Sequence, residues 1–367
     1  MRGLIGFSAL AFAACSSGTA NDGSYLNDAS FRRDALVRCL VNPQNGYGTK
    51  RLTHYDSGDA RDWSRLPESN PQVAVLDQHG NFGPSQPLDL SAEDLGEQAF
   101  FRYPVQQINS ADASVAGAES AGFWSDAQHG LGGLVRITYD SGLSVTALTC
   151  STCHSHQTPS GLTIGAPNAT LDLGWGPALL DVTTDDGNEP VMISDLRPVK
   201  FLTYLHHDGN VKQRDLTTLA IRIETLIITS HAQASRPPRE IALALARYVW
   251  SLANALPAPP AASSPGGKVF ANACGNCHAP DDGFTGPPVA IAAVGTDAAL
   301  GLSSERGTGN YRVPSLRGVG TRSPLLHDAS IANLTEFLDP KRPGGHRFGL
   351  DLDDASRAAL LAYVSAL

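Results

Sequence analysis

Apolar residues recur at helical spacing along two stretches of the chain. From Arg239 to Leu256 it reads REIALALARYVWSLANAL, opened by Pro237-Pro238 and closed by Pro257, which predicts a long helix. From Asp353 to Leu367 acidic residues come first and an apolar stripe runs on through Leu360, Leu361 and Val364, predicting a C-terminal helix. A short helix is expected around Gly266 to Phe270. The period changes to two within residues 132–148, where Val135, Ile137 and Tyr139 alternate ahead of Asp140-Ser141-Gly142, so a small hairpin is expected there. Residues 257–265 have the Pro/Ala/Ser composition of a linker. Arg51 to Gln98, with Trp63 inside it, reads as loop-rich chain wrapped around the first domain.

The first residues follow another pattern. One arginine precedes a twelve-residue apolar run ending in small residues, then Cys15 and a polar stretch. The run is too short to span a bilayer and reads as an export signal over residues 1–15. Phe12-Ala13-Ala14-Cys15 resembles a bacterial lipoprotein box. That resemblance implies a lipidated Cys15 and a protein on the periplasmic side, anchored to an outer membrane. Ordinary cleavage nearby, leaving a free periplasmic protein, is the alternative. Composition narrows the field further. A chain of 367 residues with 42% hydrophobic and 17% charged residues is a soluble body of two or three domains. Its net charge of -9 argues against a nucleic-acid binder.

Six cysteines are too few for a disulfide framework at this length, and four of them form two clusters. Cys150-Ser151-Thr152-Cys153-His154 and Cys274-Gly275-Asn276-Cys277-His278 are both CxxCH, the attachment sequence of a c-type haem. Two thiols three apart can reach the two vinyl groups of one porphyrin, and the adjacent histidine presents its imidazole to the iron. A redox dithiol, half a zinc site or paired disulfides are the competing readings, and they leave the histidines unexplained. Two covalently bound haems are therefore expected. Cys39 is left over, either as a buried small hydrophobe or as a partner for an unlipidated Cys15.

A weak repeat orders the rest. Tyr248-Val249-Trp250-Ser251-Leu252 echoes Tyr363-Val364-Ser365-Ala366-Leu367. Leu196-Arg197-Pro198-Val199 precedes His207-Asp208 just as Leu316-Arg317-Gly318-Val319 precedes His327-Asp328. His231 and His346 each lie seventeen residues before the matching tyrosine. The repeat predicts a first domain over 121–256 and a second over 266–367, with 24–120 as an N-terminal extension.

The stretch GGKVFANACGNCH resembles the opening of a cytochrome c domain, and Tyr363 resembles the aromatic that packs on its N-terminal helix. YRVPSLRGVGTRSPLLHDASIANLTEFLDP, Tyr311 to Pro340, resembles the bacterial dihaem cytochrome c peroxidase family, which includes MauG-like dihaem c-type cytochromes. The likeness covers about residues 140 to 367. It implies a mainly α fold of two tandem cytochrome c-like haem domains, each of short helices around a porphyrin. Departures are plain: His207 stands where relatives have the tryptophan of FWDGR, and Lys341 where they have a distal methionine. GGHRFG, around His346, resembles relatives with a histidine distal ligand.

His154 and His278 are thus the expected proximal ligands, with His346 distal to the second haem and, by the repeat, His231 distal to the first. Met192 is the alternative for the first haem, and His156, His206 and His129 are in reserve. Arg197 and Arg317 are candidate propionate partners. His207 and His327 are expected to pack or hydrogen-bond nearby. If both irons carry two histidines, the protein transfers single electrons, and an acidic surface suits a basic patch on a small soluble cytochrome or cupredoxin. The alternative is a peroxidase or oxygenase with one open iron and an acid/base carboxylate, for which Glu224 is a weak candidate. Calcium between the haems, as the resemblance would allow, is put in doubt by Arg322 standing where relatives have a threonine.

Overall fold

The computed structural model describes residues 22–55, 63–108, 115–139, 142–171, 191–231 and 234–367. Cys15 and the export signal lie outside them, as do Asp140 and Ser141 of the expected turn. No helix among the described residues is long and apolar enough to cross a membrane.

The helices expected from periodicity form where local chemistry starts and stops them. Arg239–Ser251 starts after Pro238, which cannot continue the preceding chain as helix and offers no side-chain cap, and ends in a 3-10 turn, Leu252–Ala255. Asp353 caps Asp354–Ser365, its carboxylate accepting from Ser356 N at 2.8 Å. Ser264 caps Pro265–Ala273, with proline in the first turn. A further helix, Leu216–Ser230, starts at Asp215, whose side chain accepts from Thr218 N.

The chain is mixed α/β, which overturns the mainly α expectation and, with it, the expected pair of tandem cytochrome c-like domains. Strands Leu134–Thr138 and Ser144–Leu148 pair as the expected hairpin, but they are the centre of a wider sheet. Gln72–Val75 adds to one side and Gln106–Ile108 to the other, giving four antiparallel strands. Val135 and Ile137 are fully buried, so the period-two pattern marks the face turned to the core. Smaller antiparallel ribbons include Ser155–Thr158 with Gly161–Ile164, and Gly286–Ala290 with Asn310–Val313.

The physical reason lies in one repeated helix crossing. In the second half Phe270, on Pro265–Ala273, packs on Tyr363 of the C-terminal helix, ring centroids 5.4 Å apart. A Cβ on Gly266 would come 2.2 Å from Ala359 O, so only glycine allows this approach. The first half repeats it: Leu95–Arg102 lays Gly96 on Ala244, where a Cβ would sit 2.4 Å from the carbonyl oxygen, and Phe100 meets Tyr248 at 5.3 Å. In the second half Cys274 follows that helix directly. In the first, the central hairpin and the Gln106–Ile108 strand stand between helix and motif, and this insertion adds the β content. The large first core accordingly joins Tyr25, Trp63 and Phe100, from the expected extension, to Ile227, Ile241 and Leu245. A second core gathers Phe270, Phe284, Leu360 and Tyr363.

Candidate functional site

Helix Pro265–Ala273 ends at Cys274, and the CxxCH turn closes with His278 N donating to Cys274 O at 3.0 Å. His278 is buried, and its Nδ1 lies 3.0 Å from Phe284 O. That bond puts the proton on Nδ1 and leaves Nε2 as the basic nitrogen, the arrangement of a metal-ligating histidine. Burial holds the ring neutral, lowering its pKa to about 4.

His278, Cys274, Cys277 and His346 line one cavity of about 410 Å³. Phe270, Leu325, Phe337, Leu338, Leu360 and Val364 supply much of its apolar wall. His346 is held at a positive φ of 53°, its N–H donating to Val294 O at 2.6 Å. Its ring centroid stands 6.4 Å from that of His278. Two imidazoles bound to one metal from opposite sides, each at about 2.0 Å, have centroids roughly 6.3 Å apart. The residues present therefore fit a haem with His278 and His346 as axial pair. The buried Nδ1 of His346 has no hydrogen-bond partner among the described residues.

The first motif repeats the local design. Cys150–Cys153 is one helical turn with a capping box from Thr149 and Thr152, closed by His154 N on Cys150 O at 3.1 Å. Trp124 Nε1 braces it by donating to Ser151 O at 2.8 Å. His154 Nδ1 lies 3.0 Å from Ser194 O, the same proximal arrangement, and burial lowers its pKa to about 4. All four cysteines are free thiols. Burial pushes Cys150 and Cys153 up to about 12 and Cys274 to about 11.

The other expected residues divide. His231 caps helix Leu216–Ser230, and its Nε2 is taken by Pro104 O at 3.0 Å; no contact between described residues joins it to His154. Met192 lines the second motif's cavity, its N–H bonded to His327 O. Arg197 makes a two-pronged pair with Asp195 at 3.0 and 2.8 Å. Arg317 donates to Pro257 O and lies over the Phe201 ring. Neither of these arginines lines the cavity, whereas Arg312 and Arg322 do. Burial lowers Arg312 to about 10, and its Nε has no partner among the described residues. Arg322 spends its guanidinium on Asp195, Ser315 O and Arg317 O, so Arg312 is the cavity-lining arginine with a nitrogen to spare for an acidic group. Glu224 is fully buried, accepting from Tyr25 Oη at 2.9 Å with Arg239 Nε at 3.5 Å, so it braces the N-terminal helices. His129 stacks on Phe101 at 4.0 Å, and His206 accepts from Arg222 Nε at 2.5 Å. The buried Nδ1 of His156 has no partner among the described residues. Cys39 is buried, 3.4 Å from Thr218 Oγ1. Among the described residues no three His, Cys, Asp or Glu side chains are grouped to hold a metal ion by themselves, calcium included.

No protein-family model and no curated protein matches the chain. Among solved structures there is a distant likeness to a MauG-like protein associated with microbial copper homeostasis, at 15% identity and a TM-score of 0.31. It covers 85% of this chain and 95% of that one.

Proposed function

We propose that this chain is an exported redox protein that carries two covalently bound haems c, on Cys150, Cys153 and His154 and on Cys274, Cys277 and His278, and transfers single electrons between protein partners. The observation that carries the reading is the 6.4 Å between the His278 and His346 rings across an apolar cavity bearing two free thiols. Haem bound there supplies one-electron ferric/ferrous chemistry. The chain's part is to present His278 through its Phe284 bond and to close the opposite face with His346. The apolar wall excludes water, and Arg312, whose Nε has no partner among the described residues, would offset propionate charge. Were His278 and His346 both to hold the iron, the second site would have no place for a substrate. The net charge of -9 suits a partner with a basic face, such as a small soluble cytochrome or cupredoxin. Cys15 is the proposed lipid attachment, checked by mass spectrometry of the mature N-terminus.

One observation favours a second reading for the first site. His231 caps helix Leu216–Ser230 with its ring on Pro104 O, and among the described residues no contact joins it to His154, which leaves the face opposite His154 without the expected histidine. An open iron there would suit a peroxidase or an oxygenase. Haem counting by pyridine haemochrome, followed by electron paramagnetic resonance of the oxidised protein, tests both readings. Two haems with two low-spin signals support electron transfer alone. One high-spin signal, with turnover of hydrogen peroxide and a reduced small cytochrome, supports the enzyme. A chain exported in a host that matures c-type cytochromes yet lacking haem rules out both.

A further inference from the structure

The stretch Met192–Asp195 belongs to the surroundings of both CxxCH motifs. Its Ser194 carbonyl receives the Nδ1 proton of His154 at 3.0 Å. The same four residues also wall the cavity that holds His278 and His346. Three anchors fix the stretch. Met192 N donates to His327 O at 2.8 Å, and Asp195 is gripped by Arg197 and by Arg322 Nε at 2.8 Å. The third anchor is His207, whose Nε2 lies 2.8 Å from Met192 O and 3.3 Å from Ser194 Oγ. A carbonyl can only accept, so Nε2 carries the proton and donates to Met192 O. The backbone of His207 is fixed in turn, its carbonyl accepting from Arg312 N at 2.8 Å.

We propose that His207 is a positioning residue for the first site: by holding Met192 and Ser194 it keeps the Ser194 carbonyl on His154 Nδ1 and so sets the donor strength of that imidazole. This rests on the haem reading of the first motif. A carbonyl accepting from Nδ1 makes the opposite nitrogen more basic, and a more basic axial ligand favours the ferric state. Loosening the stretch weakens that bond and raises the reduction potential. A residue that only filled space would leave the potential where it was.

Spectroelectrochemical titration of the intact haem-loaded protein tests this with His207→Phe, which keeps a ring but loses the donor, and His207→Gln, which keeps an N–H donor. His346→Ala marks the second haem's wave, so the remaining wave belongs to the first. His207→Phe should shift the first haem's one-electron equilibrium about tenfold towards reduction, about 59 mV. His207→Gln should recover most of that shift. An unmoved first wave in His207→Phe, or equal shifts in both variants, overturns the assignment. If His207→Phe does not assemble, hyperfine-shifted proton NMR of the unmodified ferric protein decides instead. A slowly exchanging Nδ1 proton on the first axial histidine supports the Ser194 bond, and solvent-fast exchange overturns it. Failure of the underlying reading shows separately and earlier, as a haem count that omits Cys150 and Cys153.

Discussion

Single histidines in this chain do quite different work, and their partners tell them apart. His278 and His154 spend Nδ1 on a backbone carbonyl and keep Nε2 for a ligand. His206 spends Nε2 on Arg222, so it is a neutral acceptor inside the fold. Burial, then Arg222, Arg306, Arg51 and Arg312, hold its pKa well below 6.5. The unfolded chain therefore binds this proton more readily below pH 6.5, and folding stability falls as pH drops through that region. His206→Gln should flatten that fall, measured as urea midpoints at pH 7 and at mildly acidic pH; an unchanged slope would show that other groups cause it. At the second site, His346→Ala should convert one low-spin haem signal to high-spin while the other stays. If neither signal moves, His346 is no ligand.

At the scale of elements, the two glycine-mediated crossings govern how closely the paired helices pack. Gly266→Ala forces a methyl towards Ala359 O and should cost about 1–3 kcal/mol in chemical denaturation. Gly23→Ala, in helix Asp22–Asn27 with nothing within 4 Å of the added Cβ, should be neutral or stabilising by about 0.5–1 kcal/mol. Comparable losses at both positions would mean that the close approach is not what matters. The second crossing was half legible, because Tyr363 and Gly266 lie in a short segment running straight into Cys274. The first was not, because the strands between Gly96 and Cys150 hide the spacing between helix and motif. Gly96 and Phe100 do keep the four-residue step of Gly266 and Phe270, and that was the signal available.

Across the whole molecule, buried charge ties the halves together, Asp208 with Arg306 at 3.5 Å and Asp195 in a two-arginine clasp. Asp195, 3% exposed at its side chain, pairs with Arg197 from its own segment and Arg322 from the second half. Arg322 and Arg197 hold its carboxyl below the ordinary value against the opposing effect of burial. Asp195→Asn leaves two largely buried guanidiniums without a counter-charge and should destabilise by about 3–5 kcal/mol. Asp195→Glu should cost less, because it keeps the charge. Equal losses in denaturant melts would indicate that packing, rather than charge, makes the clasp. The N-terminal helices are tied in by a second buried group, Tyr25 and Arg239 on Glu224.

The sequence by itself determined the local features. Two thiols three apart beside a histidine, the prolines and acidic residues ahead of the helices at Arg239–Ser251 and Asp354–Ser365, and the period-two run at 132–148 depend only on neighbours along the chain, so they are legible in one dimension. The ordered repeat also singled out His346. Tertiary structure alone decided which partner each long side chain meets. Arg197 and Arg317 matched in sequence yet face a carboxylate and a proline carbonyl, while Arg312 and Arg322 reach the cavity. His231 matched His346 in register yet turned to Pro104. It also decided the fold class, because pairing strands as distant as Gln72–Val75 and Leu134–Thr138 depends on long-range burial that no local pattern records.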